Sequence, residues 1–227
     1  MTTFALVHGA WHGAWCWERL APLLRAGGHE VVAVDLPCAD VGCGAAGYAR
    51  VVVDALAERS VGDDAVVVGH SLGGITIPLV AAARPVRRLV YLCAAVARPG
   101  RPLTEAPAAA LVGAGQRQLE DGTLVWTPER AVEIFYHDCP PEVATWAVAR
   151  LRPQALTPLL EPSPLDRLPD VPATYVLCRD DRITPPDWSR RAAARLGVAP
   201  VELPGGHSPF LSRPAALAGA LLDAAGG

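Results

Sequence analysis

The chain has 227 residues, 51% of them hydrophobic and 19% charged, and its formal net charge is −3 at pH 7. This composition excludes a disordered chain, and the interspersed charges argue against a nucleic-acid partner. All 20 cationic residues are arginine, which excludes Schiff-base enzymes, pyridoxal-phosphate enzymes and Walker-type phosphate loops, since each needs a lysine amine.

Short apolar runs alternate with helical patterns along the chain. The runs are rich in Val and Leu and predict buried strands over Phe4–Val7, Glu30–Val34, Asp64–Val68, Arg88–Cys93, Ala173–Cys178 and Pro200–Leu203. Helices are predicted over Trp15–Ala26, Gly47–Glu58, Leu72–Ala83, Pro186–Leu196 and Pro209–Ala224. The alternation predicts an α/β fold, with a mostly parallel sheet of about six strands covered by helices on both faces.

The alternation breaks between about Ala97 and Asp170, where proline is frequent and helices are predicted over Pro128–Phe135 and near Pro141–Leu151. The interval is too long for a simple loop and too short for a domain. We therefore predict a helical cap at 97–170 over the carboxyl ends of the strands, inserted in a core of residues 1–96 and 171–227.

Ligands of open α/β sheets bind at the carboxyl ends of the strands, directly beneath such a cap. Aromatic residues near this edge are therefore candidate substrate contacts: Trp11, Trp126, Phe135, Tyr136 and Trp146. The alternative is that the cap aromatics only fill space in the core.

Six cysteines, Cys16, Cys38, Cys43, Cys93, Cys139 and Cys178, show no Cys-x-x-Cys spacing. We expect reduced thiols in a cytoplasmic protein, with no metal site and no cofactor. No stretch approaches ~20 uninterrupted apolar residues and the amino terminus lacks a secretory signal, so no membrane partner is expected.

A Gly-x-Ser-x-Gly motif, Gly69-His70-Ser71-Leu72-Gly73, lies where a predicted strand turns into a predicted helix. A nucleophile elbow needs this context: the serine occupies a strained position with its hydroxyl exposed, and flanking glycines let strand and helix approach closely. Ser71 is the candidate nucleophile. A glycine-rich turn without catalytic function remains the alternative on this motif alone.

A serine hydroxyl needs a general base, normally a histidine oriented by a carboxylate. His207 follows two glycines between the last predicted strand and the last predicted helix, which favours it as the base. The carboxylate is expected in the loop after Cys178, where Asp180 and Asp181 compete. The oxyanion donors are expected to be the amides of Leu72, after the serine, and of Ala10, in the loop after the first strand.

Four segments resemble one branch of the α/β-hydrolase superfamily, which contains plant methyl salicylate and methyl jasmonate esterases, hydroxynitrile lyases and bacterial relatives. They are residues 4–17, the elbow 69–74, the stretch 181–186 and Gly205-Gly206-His207. The four segments occur in the same order as in the family, and the resemblance spans nearly the whole chain. It is weaker in the predicted cap than elsewhere. It implies Asp181 rather than Asp180 as the acid, because an Ile-x-x-Pro stretch follows.

Where the lyases of this branch carry a catalytic threonine and lysine, this chain has Gly9 and Ser208. The departure argues against cyanohydrin cleavage and leaves the esterase residues complete. The sequence thus predicts a serine hydrolase acting on a small apolar or aromatic ester. The alternatives are a natural-product tailoring enzyme and a non-catalytic ligand receptor. A homodimer is left open.

Overall fold

The computed structural model describes residues 1–103 and 115–226. Its strands are β1 (Thr3–Val7), β2 (Glu30–Ala33), β3 (Val66–His70), β4 (Arg88–Leu92), β5 (Gln116–Gln118), β6 (Leu124–Trp126), β7 (Ala173–Cys178) and β8 (Val201–Leu203). Six of them form one parallel sheet in the order β2-β1-β3-β4-β7-β8, and β5 and β6 form an antiparallel hairpin. The predicted fold class is confirmed.

The helices cover both faces of the sheet. They are a 3₁₀ turn at Ala14–Trp17 and the α-helices Ala21–Ala26, Ala45–Glu58, Gly73–Ala83, Pro128–Phe135, Pro141–Val148, Thr157–Leu160, Pro186–Arg195, Pro209–Ser212 and Pro214–Gly226. Alternate side chains of one strand enter different cores: Phe4 and Leu6 pack on one side, Ala5 and Val7 on the other. Burial on both faces explains why the strands read as continuous apolar runs.

Two predicted helices are interrupted in the structure. The predicted helix Pro209–Ala224 breaks at Arg213, whose φ of −142° and ψ of 50° are not helical. The ring of Pro214 disfavours the helical conformation in the residue before it. The predicted helix Trp15–Ala26 likewise separates into a 3₁₀ turn and a short helix with Pro22 in its first turn, because proline lacks the amide that would continue the earlier turn.

The strand order reverses between β1 and β3, where the chain first builds outward to β2 and then returns to the other side of β1. The ends of the two strands are in register, with Val7 beside Gly69. The loop after β1 and the turn after β3 therefore meet at the carboxyl edge, which is the ligand-binding position of open α/β sheets.

The inserted segment lies between the neighbouring strands β4 and β7. Its two ends run side by side, since the amide of Gly100 donates to the carbonyl of Ser163 at 3.1 Å and that of Ser163 to the carbonyl of Arg101 at 3.0 Å. Besides the predicted helices it contains the β5–β6 hairpin, which the sequence analysis missed. The boundaries at 97 and 170 stay a prediction. Within the described ranges, no helix has both the length and the apolarity to cross a bilayer.

Candidate active site

Ser71 occupies the turn between β3 and the helix Gly73–Ala83. Its φ of 52° lies in the left-handed region, which costs a non-glycine residue on the order of 1–3 kcal/mol. Three backbone hydrogen bonds hold the residue there: its amide donates to the carbonyl of Leu92, and its carbonyl accepts the amides of Gly74 and Ala95, each at 3.1 Å. The strain is therefore supported by the end of β4 and the chain beyond it.

The two glycines of the motif are required by close backbone contacts. A Cβ added to Gly69 would lie 2.7 Å from the carbonyl oxygen of Gly73, and one added to Gly73 would lie 2.7 Å from that of Val7. Neither separation is available to a real side chain without movement of the main chain. The structure thus gives the Gly-x-Ser-x-Gly spacing the physical reason expected for a nucleophile elbow.

His207 and Asp181 form a buried pair. Nδ1 of His207 lies 2.8 Å from Oδ2 of Asp181, and both side chains are 0% exposed. Oδ1 of Asp181 also accepts the amides of Ile183 at 2.7 Å and Thr184 at 2.9 Å. Burial alone would raise the pKa of the Asp181 carboxyl, but the charge and hydrogen bond of His207 and the bonds from Thr184 outweigh it, so the pKa is lowered. The carboxylate is ionised and fixes the imidazole.

Asp180 occupies a different position from its neighbour. It is exposed, its Oδ2 accepts the amide of Gly205 at 3.0 Å, and its own amide donates to the carbonyl of Gly205 at 2.9 Å. Asp138, which the sequence analysis did not single out, accepts the amide of Gly206 at 2.9 Å. These two carboxylates hold the loop that carries His207, whereas Asp181 contacts the imidazole itself.

The other imidazole nitrogen of His207, Nε2, takes no part in the contact with Asp181. Nε2 is buried and has no hydrogen-bond partner in the described part of the chain. His207 and Ser71 line the same cavity. Because no hydrogen bond within the described residues occupies this nitrogen, it is available to accept a proton.

Ala10 and Leu72, the predicted oxyanion donors, also line this cavity. Among residues 1–103 and 115–226, neither amide donates to a protein acceptor. The loop carrying Ala10 passes very close to the elbow: a Cβ added to Gly9 would lie 2.8 Å from Cβ of Ser71. Two free amides from different loops thus border the space next to the serine.

The cavity is lined mainly by apolar side chains. Three of the predicted aromatic contacts are among them: Trp11, Trp126 and Phe135. The ring of Trp126 packs edge-on against Trp11 at 5.4 Å and against Phe135 at 5.7 Å. The other apolar residues lie far apart in the sequence and were not predicted: Ala95, Leu103, Leu156, Leu159, Ile183 and Trp188. No carboxylate, arginine or lysine is among the described lining residues.

The other two predicted aromatic contacts lie elsewhere. Tyr136 is fully buried and donates its hydroxyl proton to Nε2 of His12 at 2.8 Å, away from the cavity lining. Trp146 packs edge-on against Trp15 at 5.3 Å, with the guanidinium of Arg150 4.4 Å from its ring centre, in a separate surface groove. The sequence shows that the inserted segment contains several aromatic residues, but it does not show which of them line the cavity.

Two buried histidines at the loop after β1, His8 and His12, are held in the neutral form, and His12 also lines the cavity. Nε2 of His8 accepts the amide of Leu36 at 3.0 Å, which leaves its Nδ1–H to donate to the carbonyl of Gly9 at 2.8 Å. His12 donates its Nδ1–H to the carbonyl of Ala10 at 2.8 Å. Burial lowers the pKa of His8 to about 4 and that of His12 to about 3. These side chains therefore brace the loop after β1 rather than exchange protons near neutral pH.

Within the described ranges, one set of side chains brings metal-ligand atoms together: Cys93, Asp181 and His207, all within 4.8 Å of one another. Burial raises the pKa of the Cys93 thiol well above its ordinary value, which disfavours the thiolate that a metal would need. Both oxygens of Asp181 already accept protein hydrogen bonds. The donor set suits an acid–histidine pair better than a metal.

The parallel sheet, the elbow and the buried acid–histidine pair together define an α/β hydrolase. Residues 4–220 match the alpha/beta hydrolase family, and the chain belongs to this family. The resemblance expected from the four sequence segments is confirmed.

The relatives of this chain include esterases. A pyrethroid hydrolase of Sphingobium wenxiniae is 32% identical over 98% of this chain and 87% of its own length. Methyl jasmonate esterase 1 of Vitis vinifera is 28% identical over 93% of this chain and 92% of its own. A solved pyrethroid hydrolase from Sphingobium faniae superposes with a TM-score of 0.82 at 26% identity, covering 100% of this chain and 98% of that one. The protein is thus a hydrolase with esterase-type relatives.

Proposed function

We propose that the protein is a serine carboxylesterase that cleaves a small apolar or aromatic ester through an acyl-enzyme intermediate. The observation that carries the proposal is the buried 2.8 Å contact between Nδ1 of His207 and Oδ2 of Asp181. Nε2 of His207 has no hydrogen-bond partner among the described residues, and His207 lines the same cavity as Ser71. A serine nucleophile, a histidine base and a carboxylate that orients the histidine are the groups that nucleophilic acyl transfer needs.

In the first half of the reaction, Oγ of Ser71 bonds to the ester carbonyl carbon while its proton passes to Nε2 of His207. Asp181 stabilises the imidazolium, and the amides of Ala10 and Leu72 donate to the negative carbonyl oxygen. The ester C–O bond then breaks, and the proton on Nε2 goes to the leaving alcohol. Water repeats the sequence on the acyl group, which releases the acid and restores the hydroxyl of Ser71.

The lining of the cavity supports an apolar or aromatic substrate. Trp11, Trp126 and Phe135 offer ring faces and edges, and the described lining holds no charged side chain that would pair with an ionic group. The name of the Vitis vinifera relative, a methyl jasmonate esterase, supports ester cleavage. The same lining offers the carboxylate product no counter-ion, which favours its release after deacylation.

A fluorophosphonate probe and a panel of p-nitrophenyl and methyl aryl esters test the proposal. The wild-type protein should be labelled and should hydrolyse at least one ester, and Ser71→Ala should abolish both. Ser208→Ala is a matched control, because Ser208 is buried beside His207 but does not line the cavity. A wild-type protein that is folded, unlabelled and inactive on the panel would favour a non-catalytic receptor instead.

A further inference from the structure

The residue that follows the oxyanion amide of Ala10 is strained. Trp11 has a φ of 63°, in the left-handed region that a bulky side chain rarely adopts. Such a conformation persists only where surrounding groups over-determine it. The hydrogen bonds made by Trp11 and its neighbours show which groups these are.

Contacts within the loop hold the peptide that contains the Ala10 amide. The carbonyl of Gly9, in the same peptide plane as that N–H, accepts Nδ1–H of His8 at 2.8 Å. With the carbonyl directed to His8, the N–H on the opposite side of the plane points the other way. The carbonyl of Ala10 accepts Nδ1–H of His12 at 2.8 Å, so one end of the next peptide is held as well.

The inserted segment holds the other polar groups of Trp11. Its amide donates to Oε1 of Gln154 at 3.2 Å, its carbonyl accepts the amide of Arg152 at 2.8 Å, and its indole N–H donates to the carbonyl of Leu124 at 2.9 Å. The backbone and indole hydrogen bonds of the strained residue therefore come from the inserted segment.

Gln154 is built to present an acceptor at one point. It is 0% exposed, and its main chain exchanges hydrogen bonds with Leu124, donating at 3.0 Å and accepting at 2.9 Å. Its Nε2 donates to the carbonyl of Ala155 at 2.8 Å and to the hydroxyl of Tyr48 at 3.1 Å. Because its amide nitrogen has these two acceptors, the oxygen of the side chain is left for the N–H of Trp11.

We propose that Gln154 is a positioning residue for ester hydrolysis: by accepting the amide of Trp11 it keeps the preceding Ala10 amide directed at the developing oxyanion. The inference rests on the proposed esterase function. It makes the inserted segment part of the catalytic geometry as well as a cover over the substrate. A purely structural glutamine would affect stability alone, and a positioning residue affects the transition state more than the bound substrate.

The test compares Gln154→Met with Tyr48→Phe on the p-nitrophenyl ester that the wild type hydrolyses. Gln154→Met keeps the length of the side chain and removes the acceptor, so kcat should fall about 10- to 100-fold, less than the ~10²–10³ for loss of an oxyanion donor. KM should stay within about twofold, and inhibition by a trifluoromethyl ketone should weaken in proportion to kcat. Tyr48→Phe removes one of the two acceptors of Gln154 Nε2 and leaves the bond to Trp11, so its kcat should remain near wild type.

A second variant covers a folding defect of Gln154→Met. Gln154→Asn keeps a polar amide but withdraws the oxygen by one methylene, and it should show the same loss in kcat. Equal kcat values for wild type, Gln154→Met and Gln154→Asn, or an equal loss in Tyr48→Phe, would overturn the inference while leaving the esterase proposal intact. Absence of ester turnover by the wild type would instead remove the proposed function and the inference together.

Discussion

The hydroxyl of Thr184 lies 2.6 Å from Oδ2 of Asp181, the same oxygen that contacts Nδ1 of His207 at 2.8 Å. Thr184 follows Asp181 by three residues in a turn whose amides also bind the carboxylate. The local sequence after Asp181 thus holds the carboxylate that contacts His207, which comes from a loop distant in the sequence. The carboxylate of Asp180 instead accepts the amide of Gly205.

We predict that Asp181→Asn lowers kcat by roughly 10³- to 10⁴-fold, because an amide at this position favours the wrong tautomer of His207. Asp180→Asn should cost far less, since that side chain supports the loop and does not contact the imidazole. Steady-state kinetics on one hydrolysed ester decides the matter. The opposite ranking of the two variants would contradict the assignment of the acid.

The stability of the fold should decline as the pH falls below about 6.5, the ordinary pKa of histidine. Burial lowers the pKa of His8 to about 4 and that of His12 to about 3 in the folded protein. The unfolded chain therefore takes up protons first, and the stabilising effect, complete above the unfolded pKa, is lost as the pH falls through the folded values. His8 and His12 each contribute on the order of 3–5 kcal/mol, since one pKa unit corresponds to about 1.4 kcal/mol.

Urea unfolding at pH values from 7.5 to 4.5 measures this dependence. The variant His12→Gln cannot titrate at this position, and its free energy of unfolding should vary less steeply with pH than that of the wild type. The burial of His12 is not responsible if the two slopes are the same.

Trp126 and Trp146, two aromatic residues of the inserted segment, should behave differently when they are replaced. Trp126→Leu removes a ring from the lining of the cavity. It should raise KM about 10-fold, or change the ratio of kcat/KM between aryl and alkyl esters about 10-fold. Trp146→Leu removes a ring of equal size from a surface groove and should leave both unchanged. If Trp146→Leu alters substrate preference and Trp126→Leu does not, the substrate lies outside the cavity described here.

Mandelonitrile should not be cleaved above background, although an aryl ester is. The hydroxynitrile lyases of the branch that this sequence resembles use a threonine and a lysine for cyanohydrin cleavage. This chain has Gly9 and Ser208 at those positions. The structure shows why a threonine does not fit at position 9 without movement of its surroundings: a Cβ on Gly9 would lie 2.8 Å from Cβ of Ser71. Cyanide release that depends on Ser71, without an acyl adduct on any ester, would contradict the hydrolase proposal.

The sequence predicted the sheet and the helix Pro128–Phe135 of the inserted segment, but it missed the hairpin in that segment. The strand Ala173–Cys178 was predicted with its observed limits because burial on both faces produces an unbroken apolar run. The hairpin that contains Gln116–Gln118 was missed because three polar residues carry no alternation of hydrophobicity.

Within the candidate site, residues in sequence motifs were predictable and residues that act through distant contacts were not. Ser71 lies within a Gly-x-Ser-x-Gly motif and His207 follows two glycines. The structure brings both residues to one cavity. Gln154 lies in a stretch without a motif. It is 143 residues from Trp11 in the sequence, and only the folded chain brings the two into contact. A polar residue of this kind becomes recognisable when its burial and its partners are known.

The side-by-side ends of the inserted segment have a consequence for how such proteins diversify. β4 and β7 are hydrogen-bonded neighbours, with Leu92 beside Val176, although the whole insertion separates them in the chain. Because the insertion leaves and returns at one place, its length and side chains can change without shifting the register of the sheet. The proposed role of Gln154 limits this freedom: a transplanted insertion that lacks an acceptor for the amide of Trp11 should bring a new pocket with a lower kcat.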